Sequence, residues 1–237
     1  MRILGLGVCG PGEAGRYLDD TLREFERLCD DVLIVTCNAT DAEKNLITAY
    51  GFRQYEDNRE WGRQQPNIKT DLLKRAVQLK ADWHVVLDMD ETLPSMTRET
   101  LEQLAEGREA CQFYVVNLWN DEQHYARALG FFNVRFYKNI PGMETQFMRK
   151  NVHCGNAPPY FYAIPAKKSY VPHILLHKGL MSKENRNRKV ERYEVYDPNA
   201  QAKGQQYYDA LKVDASGTEY VQAEVISKIT QEIQRYA

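Results

Sequence analysis

The chain has 237 residues, of which 27% are charged and 43% hydrophobic, and it carries a net charge of −2. That is enough chain for one α/β domain with a real core, and the balance excludes a disordered segment. It also excludes a global pull toward nucleic acid or anionic lipid, so any anionic ligand must be held by local basic groups.

Cysteines 9, 29, 37, 111 and 154 are odd in number and contain no C-x-x-C spacing. This points to a reducing compartment and offers neither a disulfide framework nor a zinc cage. Met1–Val8 is too short for a signal peptide, and no apolar run approaches the roughly 18 residues of a membrane span. A cytoplasmic protein is expected.

Ile3–Val8 reads as a short strand, and Glu13–Cys29 as a helix with Tyr17, Leu18, Leu22, Phe25 and Leu28 on one face. Val32–Thr36 is a buried strand, Asp41–Tyr50 a helix stopped by Gly51, and Phe52–Tyr55 a third strand. Asn67–Lys80 is helical, and Trp83–Leu87 is a strand running into Asp88-Met89-Asp90-Glu91. This β-α order predicts a mostly parallel central sheet covered by helices on both faces. A helix at Arg98–Glu106 leads to strands near Gln112–Leu118 and Phe132–Tyr137. A loop-rich stretch, Asn139–Ser169, precedes a strand at Tyr170–Leu176 that meets His177, and three helical segments follow. One domain is expected, in two halves (1–95 and 96–180) followed by C-terminal helices (181–237).

Gly5-x-Gly7-x-x-Gly10 has the dinucleotide-binding spacing, but the second strand ends Thr36-Cys37-Asn38 where that fingerprint needs an acid for the ribose. Asp88-Met89-Asp90-Glu91-Thr92 has the D-x-D-x-T form of haloacid-dehalogenase-like phosphatases, in which the first Asp attacks phosphorus. That chemistry requires a later acidic pair for Mg²⁺, and Asp121, Asp197, Asp209 and Asp214 form none.

The whole stretch Ala81-Asp82-Trp83 through Asp88-Met89-Asp90-Glu91-Thr92-Leu93 resembles the ADW–strand–DADE-x-L segment of family-2 glycosyltransferases with the GT-A fold. Ala39-Thr40-Asp41 resembles that family's STD turn, and Trp61 and Lys69 its tryptophan and basic positions. Val116–Trp119, Arg135–Asn139, His177-Lys178-Gly179 and Ser182–Pro198 resemble its later blocks. The resemblance spans roughly residues 1 to 200 and implies a GT-A-like α/β fold. It also implies transfer of a hexosyl or related sugar from a nucleotide-sugar donor, with inversion, to an acceptor that can be a glycan, lipid, protein or nucleic acid component.

By that resemblance Asp88 contacts the nucleotide ribose, while Asp90 and His177 bind Mn²⁺ or Mg²⁺. The physics agrees: departure of a nucleoside diphosphate builds negative charge that a divalent ion neutralises, and carboxylate with imidazole suits such an ion. Alternation at a strand end would turn Asp88 and Asp90 to one side and Met89 away. Lys178, Arg186 and Lys189 are candidate diphosphate clamps. Arg188 and Arg192 read as solvated helix face. Gly7, Asn38, Asp41 and Lys69 complete the expected nucleotide-sugar site, although Asn38 stands where relatives carry acid. An inverting transfer also needs a general base, and Asp121, Glu122 and His153 are the candidates. The stretch 178–183 after His177, with Gly179 as hinge, is expected to close over a bound donor. Alternatives from other classes are the phosphatase and a non-catalytic nucleotide- or sugar-binding module.

Overall fold

The computed structural model describes residues 1–126, 129–143, 145–147, 153–199, 205–212, 218–220 and 229–231. Strand β1 (Ile3–Cys9) sends Ile3 and Cys9 into one apolar layer and Leu4, Leu6 and Val8 into the other. Strand β2 (Asp31–Cys37) splits the same way, Val32 and Ile34 against Leu33, Val35 and Cys37. A strand that is apolar on both sides has to be covered on both sides. Helices α1 (Leu18–Leu28), α2 (Asp41–Ala49) and α4 (Arg98–Ala105) feed the first layer, and α3 (Trp61–Gln78) feeds the second.

With β3 (Arg53–Asp57) and β4 (Trp83–Val86), these strands form a parallel half in the order β3-β2-β1-β4. The α/β class and the two helical faces expected from the sequence are present. The remainder of the sheet is largely antiparallel. Strand β8 (Phe131–Lys138) pairs with β4, then follow β6 (Ala110–Trp119), β7 (Asp121–Ala126) and β10 (Thr218–Tyr220). Strand β9 (Tyr170–His177) runs parallel to β6, and its end pairs antiparallel with the two-residue β5 (Glu91–Thr92).

Two element boundaries move. α3 begins at Trp61 and carries Pro66 inside its early turns, where the sequence predicted a start at Asn67. α1 begins at Leu18, because the preceding loop is pinned elsewhere: the buried Glu43 carboxylate accepts from Gly12 N (2.9 Å), Ala14 N (3.0 Å), Thr40 N (2.7 Å) and Thr40 Oγ1. One acid thus caps α2 and fixes the path of the β1–α1 loop.

Two short helices, α5 (Pro159–Tyr162) and α6 (Ala166–Ser169), interrupt the expected loop stretch. Helices α7 (Lys183–Tyr196) and α8 (Gln205–Lys212) form a third apolar cluster with Trp119 and Leu180. The third helical segment expected at the C-terminus lies mostly outside the described residues. Among the described residues no helix is long and apolar enough to cross a membrane.

Candidate functional site

Strand β4 stops at Val86, and Asp88–Glu91 forms a turn closed by Glu91 N donating to Asp88 O at 3.0 Å. The two aspartates are therefore presented by a turn rather than by strand alternation. Met89 does turn away: it is 3% exposed in the first apolar layer, and its methyl fills the space a side chain at Gly7 would need. Gly7 thus makes room for the turn as well as lining the cleft beside Asp88.

Glu91 holds the turn from below. Its buried carboxylate receives Arg135 Nε at 2.8 Å, a second bond from the same guanidinium, and the Asp88 backbone N–H at 3.0 Å. Arg135 reaches it because β8 bulges there. Cys111 pairs with Phe136 and Gln112 with Val134, leaving Arg135 as the extra residue. The bulge throws a fully buried guanidinium under the turn, where it also lies 3.5 Å from Asp88 Oδ2. Burial pushes the Asp88 carboxyl up, but Lys69 and Arg135 outweigh it and hold it below its ordinary range. Lys69 acts partly through Asn156, donating to Gly155 O at 2.7 Å and to Asn156 Oδ1, while Asn156 Nδ2 donates to Asp88 Oδ2 at 3.2 Å.

Asp90 meets His177 across strands. In the ladder His177 lies opposite Glu91 and beside Asn117, and Lys178 N donates to Asp90 O at 2.8 Å. His177 Nε2 stands 3.3 Å from Asp90 Oδ2 and 3.2 Å from Lys189 Nζ. Asn117 sets the tautomer. Its Nδ2 is committed to Leu129 O at 2.6 Å, so its Oδ1, 2.6 Å from His177 Nδ1, can only accept. Nδ1 therefore carries a proton, and Nε2 is the ring atom turned toward Asp90 and Lys189. Burial pushes the Asp90 carboxyl up, yet His177, Lys189 and Arg192 outweigh it and hold it well below the usual carboxylate range. A side chain at Gly179 would strike Asp90 Oδ2 and come within 2.8 Å of His177 Nε2.

This donor pair fits a divalent ion. Two ligands about 2.1 Å from an ion and at right angles lie about 3 Å apart, close to the observed 3.3 Å. A hard carboxylate beside an imidazole suits Mn²⁺ better than Mg²⁺. Among the described residues no group of three His, Cys, Asp or Glu side chains converges, so the remaining ligands would come from phosphate oxygens and water.

The other sequence candidates scatter. Lys178 is ion-paired with Asp20 (2.7 Å) and Glu122 (2.9 Å). Arg186 is buried, stacked 4.2 Å over Trp119 and donating to Leu180 O at 3.0 Å, so it anchors α7 instead of facing the turn. Asp121 closes its own turn with Gln123 N (2.7 Å), His124 N (2.9 Å) and His124 Nδ1 (2.8 Å). The His153 ring packs on Tyr193 with ring centres 4.9 Å apart. Asn38, left-handed at φ 52°, and Asp41 are exposed at the end of β2.

Glu91, Arg135 and Asn117 stand in the motifs quoted from the sequence but received no role there, and Asn156 received none either, since only folding brings them to the turn. Arg192, assigned there to solvated helix face, lies close enough to influence Asp90. Glu13 was also missed: burial and the Asp90 charge push its carboxyl up to about 7 against the pull of Arg16, Arg192 and Lys189.

No family model matches the chain, and no curated protein matches it. Among solved structures it is similar to a putative nucleotide-diphospho-sugar transferase from Desulfovibrio desulfuricans G20, with 10% identity, a TM-score of 0.44, and 90% of this chain aligned to 100% of that one. It is also similar to S. aureus TarS 1-349 in complex with UDP (12% identity, TM-score 0.41, 90% of this chain and 70% of that chain). A third likeness is to glucosyl-3-phosphoglycerate synthase from Mycobacterium tuberculosis in complex with Mn²⁺, UDP and phosphoglyceric acid (17% identity, TM-score 0.32, 50% and 43%). The chain spans 28% of the longer S. aureus TarS structure. These likenesses concern fold alone.

Proposed function

We propose that the chain is a metal-dependent glycosyltransferase using a nucleotide-sugar donor. The observation that supports this most is the pairing of Asp90 with a tautomer-fixed His177 at the end of the parallel half-sheet. Ligand sites of α/β sheets lie at that edge. When bound, the divalent ion would supply positive charge against the diphosphate leaving group. Lys189 lies beside His177, and it and Arg192 add cationic charge that reaches Asp90. Asp88 remains ionised and partly open, able to accept from ribose hydroxyls.

For an inverting transfer the acceptor hydroxyl attacks the anomeric carbon, the bond from that carbon to the diphosphate oxygen breaks, and the hydroxyl proton goes to a base. Of the three candidates Glu122 is best placed. It is tied to Lys178, whose backbone binds the acid turn, whereas Asp121 is spent on its turn and His153 packs among tyrosines.

The test is a thermal-shift titration with nucleoside diphosphates, with Mn²⁺ and with chelator. Saturating ligand at about 100 times its dissociation constant adds roughly 2.7 kcal/mol. The shift should require metal and vanish in Asp90→Ala. A robust Mg²⁺-dependent aryl phosphatase activity lost in Asp88→Asn would instead establish the phosphatase.

A further inference from the structure

We propose that the protein carries a second small-molecule site, for a saccharide, in a polar groove along the outer face of α3. The groove lies apart from the acid turn, and the inference does not depend on a metal or donor binding there.

Pro66, Asn67, Thr70, Asp71 and Lys74 recur at three- and four-residue spacing, so they share one stripe of the helix. Arg59 and Gln146 complete the lining of a cavity of about 260 Å³ among the described residues. Drug-sized ligands fill roughly 300–1,000 Å³, so this space suits one or two sugar rings. The apolar cleft beside Asp88 offers only about 20 Å³. Phe147 is the wall between the two spaces. It is 6% exposed and lines both, and its backbone N–H donates to Thr70 Oγ1 at 3.3 Å.

The lining selects by its chemistry. Arg59 is bound to Asp57 at 2.5 Å and to Asp71 at 2.8 Å, and Lys74 reaches Asp71 at 3.4 Å. Two cations offset by two carboxylates leave no net charge to draw a phosphate. What they leave is acceptors and donors side by side. Each Asp71 oxygen keeps a lone pair beyond the one that Arg59 or Lys74 uses. Asn67 spends Nδ2 on Gln64 at 2.6 Å and keeps Oδ1, and Lys74 has ammonium protons to spare. Gln146 is exposed, with an amide that both donates and accepts. A sugar hydroxyl donates one proton and accepts others, so it is satisfied where an oxygen and an N–H stand together. Pro66 and Phe147 supply apolar surface for the C–H face of a ring.

The experiment titrates the ¹⁵N-labelled full chain with glucose, mannose, N-acetylglucosamine and maltose, each to about 50 mM, which saturates a site of about 1 mM affinity. At least one sugar should give saturable shifts at the amides of residues 67, 70, 71, 74 and 146, and inorganic phosphate should give none. Asn67→Ala with Gln146→Ala should weaken that binding about tenfold. Both side chains are exposed, so circular dichroism and melting temperature should be unchanged. Asp71→Asn, which keeps the shape, should weaken it as well. The idea is overturned if no sugar shifts these amides, if phosphate shifts them in place of sugar, or if the shifts centre on residues 88–91 and the double variant binds as the wild type does. Asp90→Ala should leave the titration intact, so failure of the metal site and failure of this groove are read separately.

Discussion

At the scale of single residues, Gly179 shows how little room the site leaves. The space beside its Cα is already taken by Asp90 Oδ2 and His177 Nε2. Gly179→Ala must push one of those groups aside, so diphosphate binding in Mn²⁺ should weaken about tenfold, or about 1.4 kcal/mol, measured by calorimetry. Metal-free stability should change much less. His84 makes the opposite kind of prediction. It is 1% exposed in β4, neither ring nitrogen has a hydrogen-bond partner among the described residues, and Tyr137 meets it edge-on at 5.4 Å. Burial pushes its pKa down to about 4 from 6.5. Above the higher value both folded and unfolded chains are neutral. As pH falls below it, only the unfolded chain takes the proton, and stability drains until the folded ring also protonates. The loss across that window is roughly 3 kcal/mol. His84→Leu carries no such proton, so its stability relative to wild type should rise by roughly 2 kcal/mol between about pH 7.5 and about pH 5 in urea denaturation.

At the scale of elements, the bulge in β8 does what a straight strand cannot. It keeps Phe136 in one apolar layer and Val134 and Tyr137 in the other, yet spares Arg135 for Glu91 beneath the acid turn. Removing one member leaves a buried charge without its partner. Arg135→Met should cost roughly 3–5 kcal/mol, whereas Arg135→Met with Glu91→Met should recover much of it. The double variant would still lose the Glu91 bond to Asp88 N, so donor binding should stay impaired while urea denaturation shows restored stability. Local sequence could reveal Asp88, Asp90 and His177 because each sits where an apolar run ends against polar residues. It could not reveal Arg135, whose role follows from one extra residue in a ladder, or Asn117, which meets His177 through strand pairing. Pro66 hid the first turns of α3, since a proline ordinarily breaks a helix interior. Lys178 and Arg186 looked like clamps because they are basic and near His177, but folding gives them other partners.

At the scale of the whole molecule, α7 couples the C-terminal cluster to the site. It sets Lys189 beside His177 and rests Tyr196 on Gly62 at the start of α3. Gly62→Ala pits a helix-propensity gain of about 1 kcal/mol against a collision with the Tyr196 ring. The collision should win: the melting temperature should fall, and pairing with Tyr196→Ala should restore part of it, as a double-mutant cycle would show. The alternating strand–helix order made the parallel half legible from the sequence, because period and spacing are local. The antiparallel half was less so, since its partners are chosen by distant pairing. That difference gives the chain an order of events. The acid turn and the histidine strand come from widely separated segments, joined only when β9 aligns with β6 and β5. Contacts of such long sequence separation close slowly. During refolding, helical signal should therefore return before any capacity to capture Mn²⁺, and a nascent chain that has not yet released β9 would be unable to take up the ion at all.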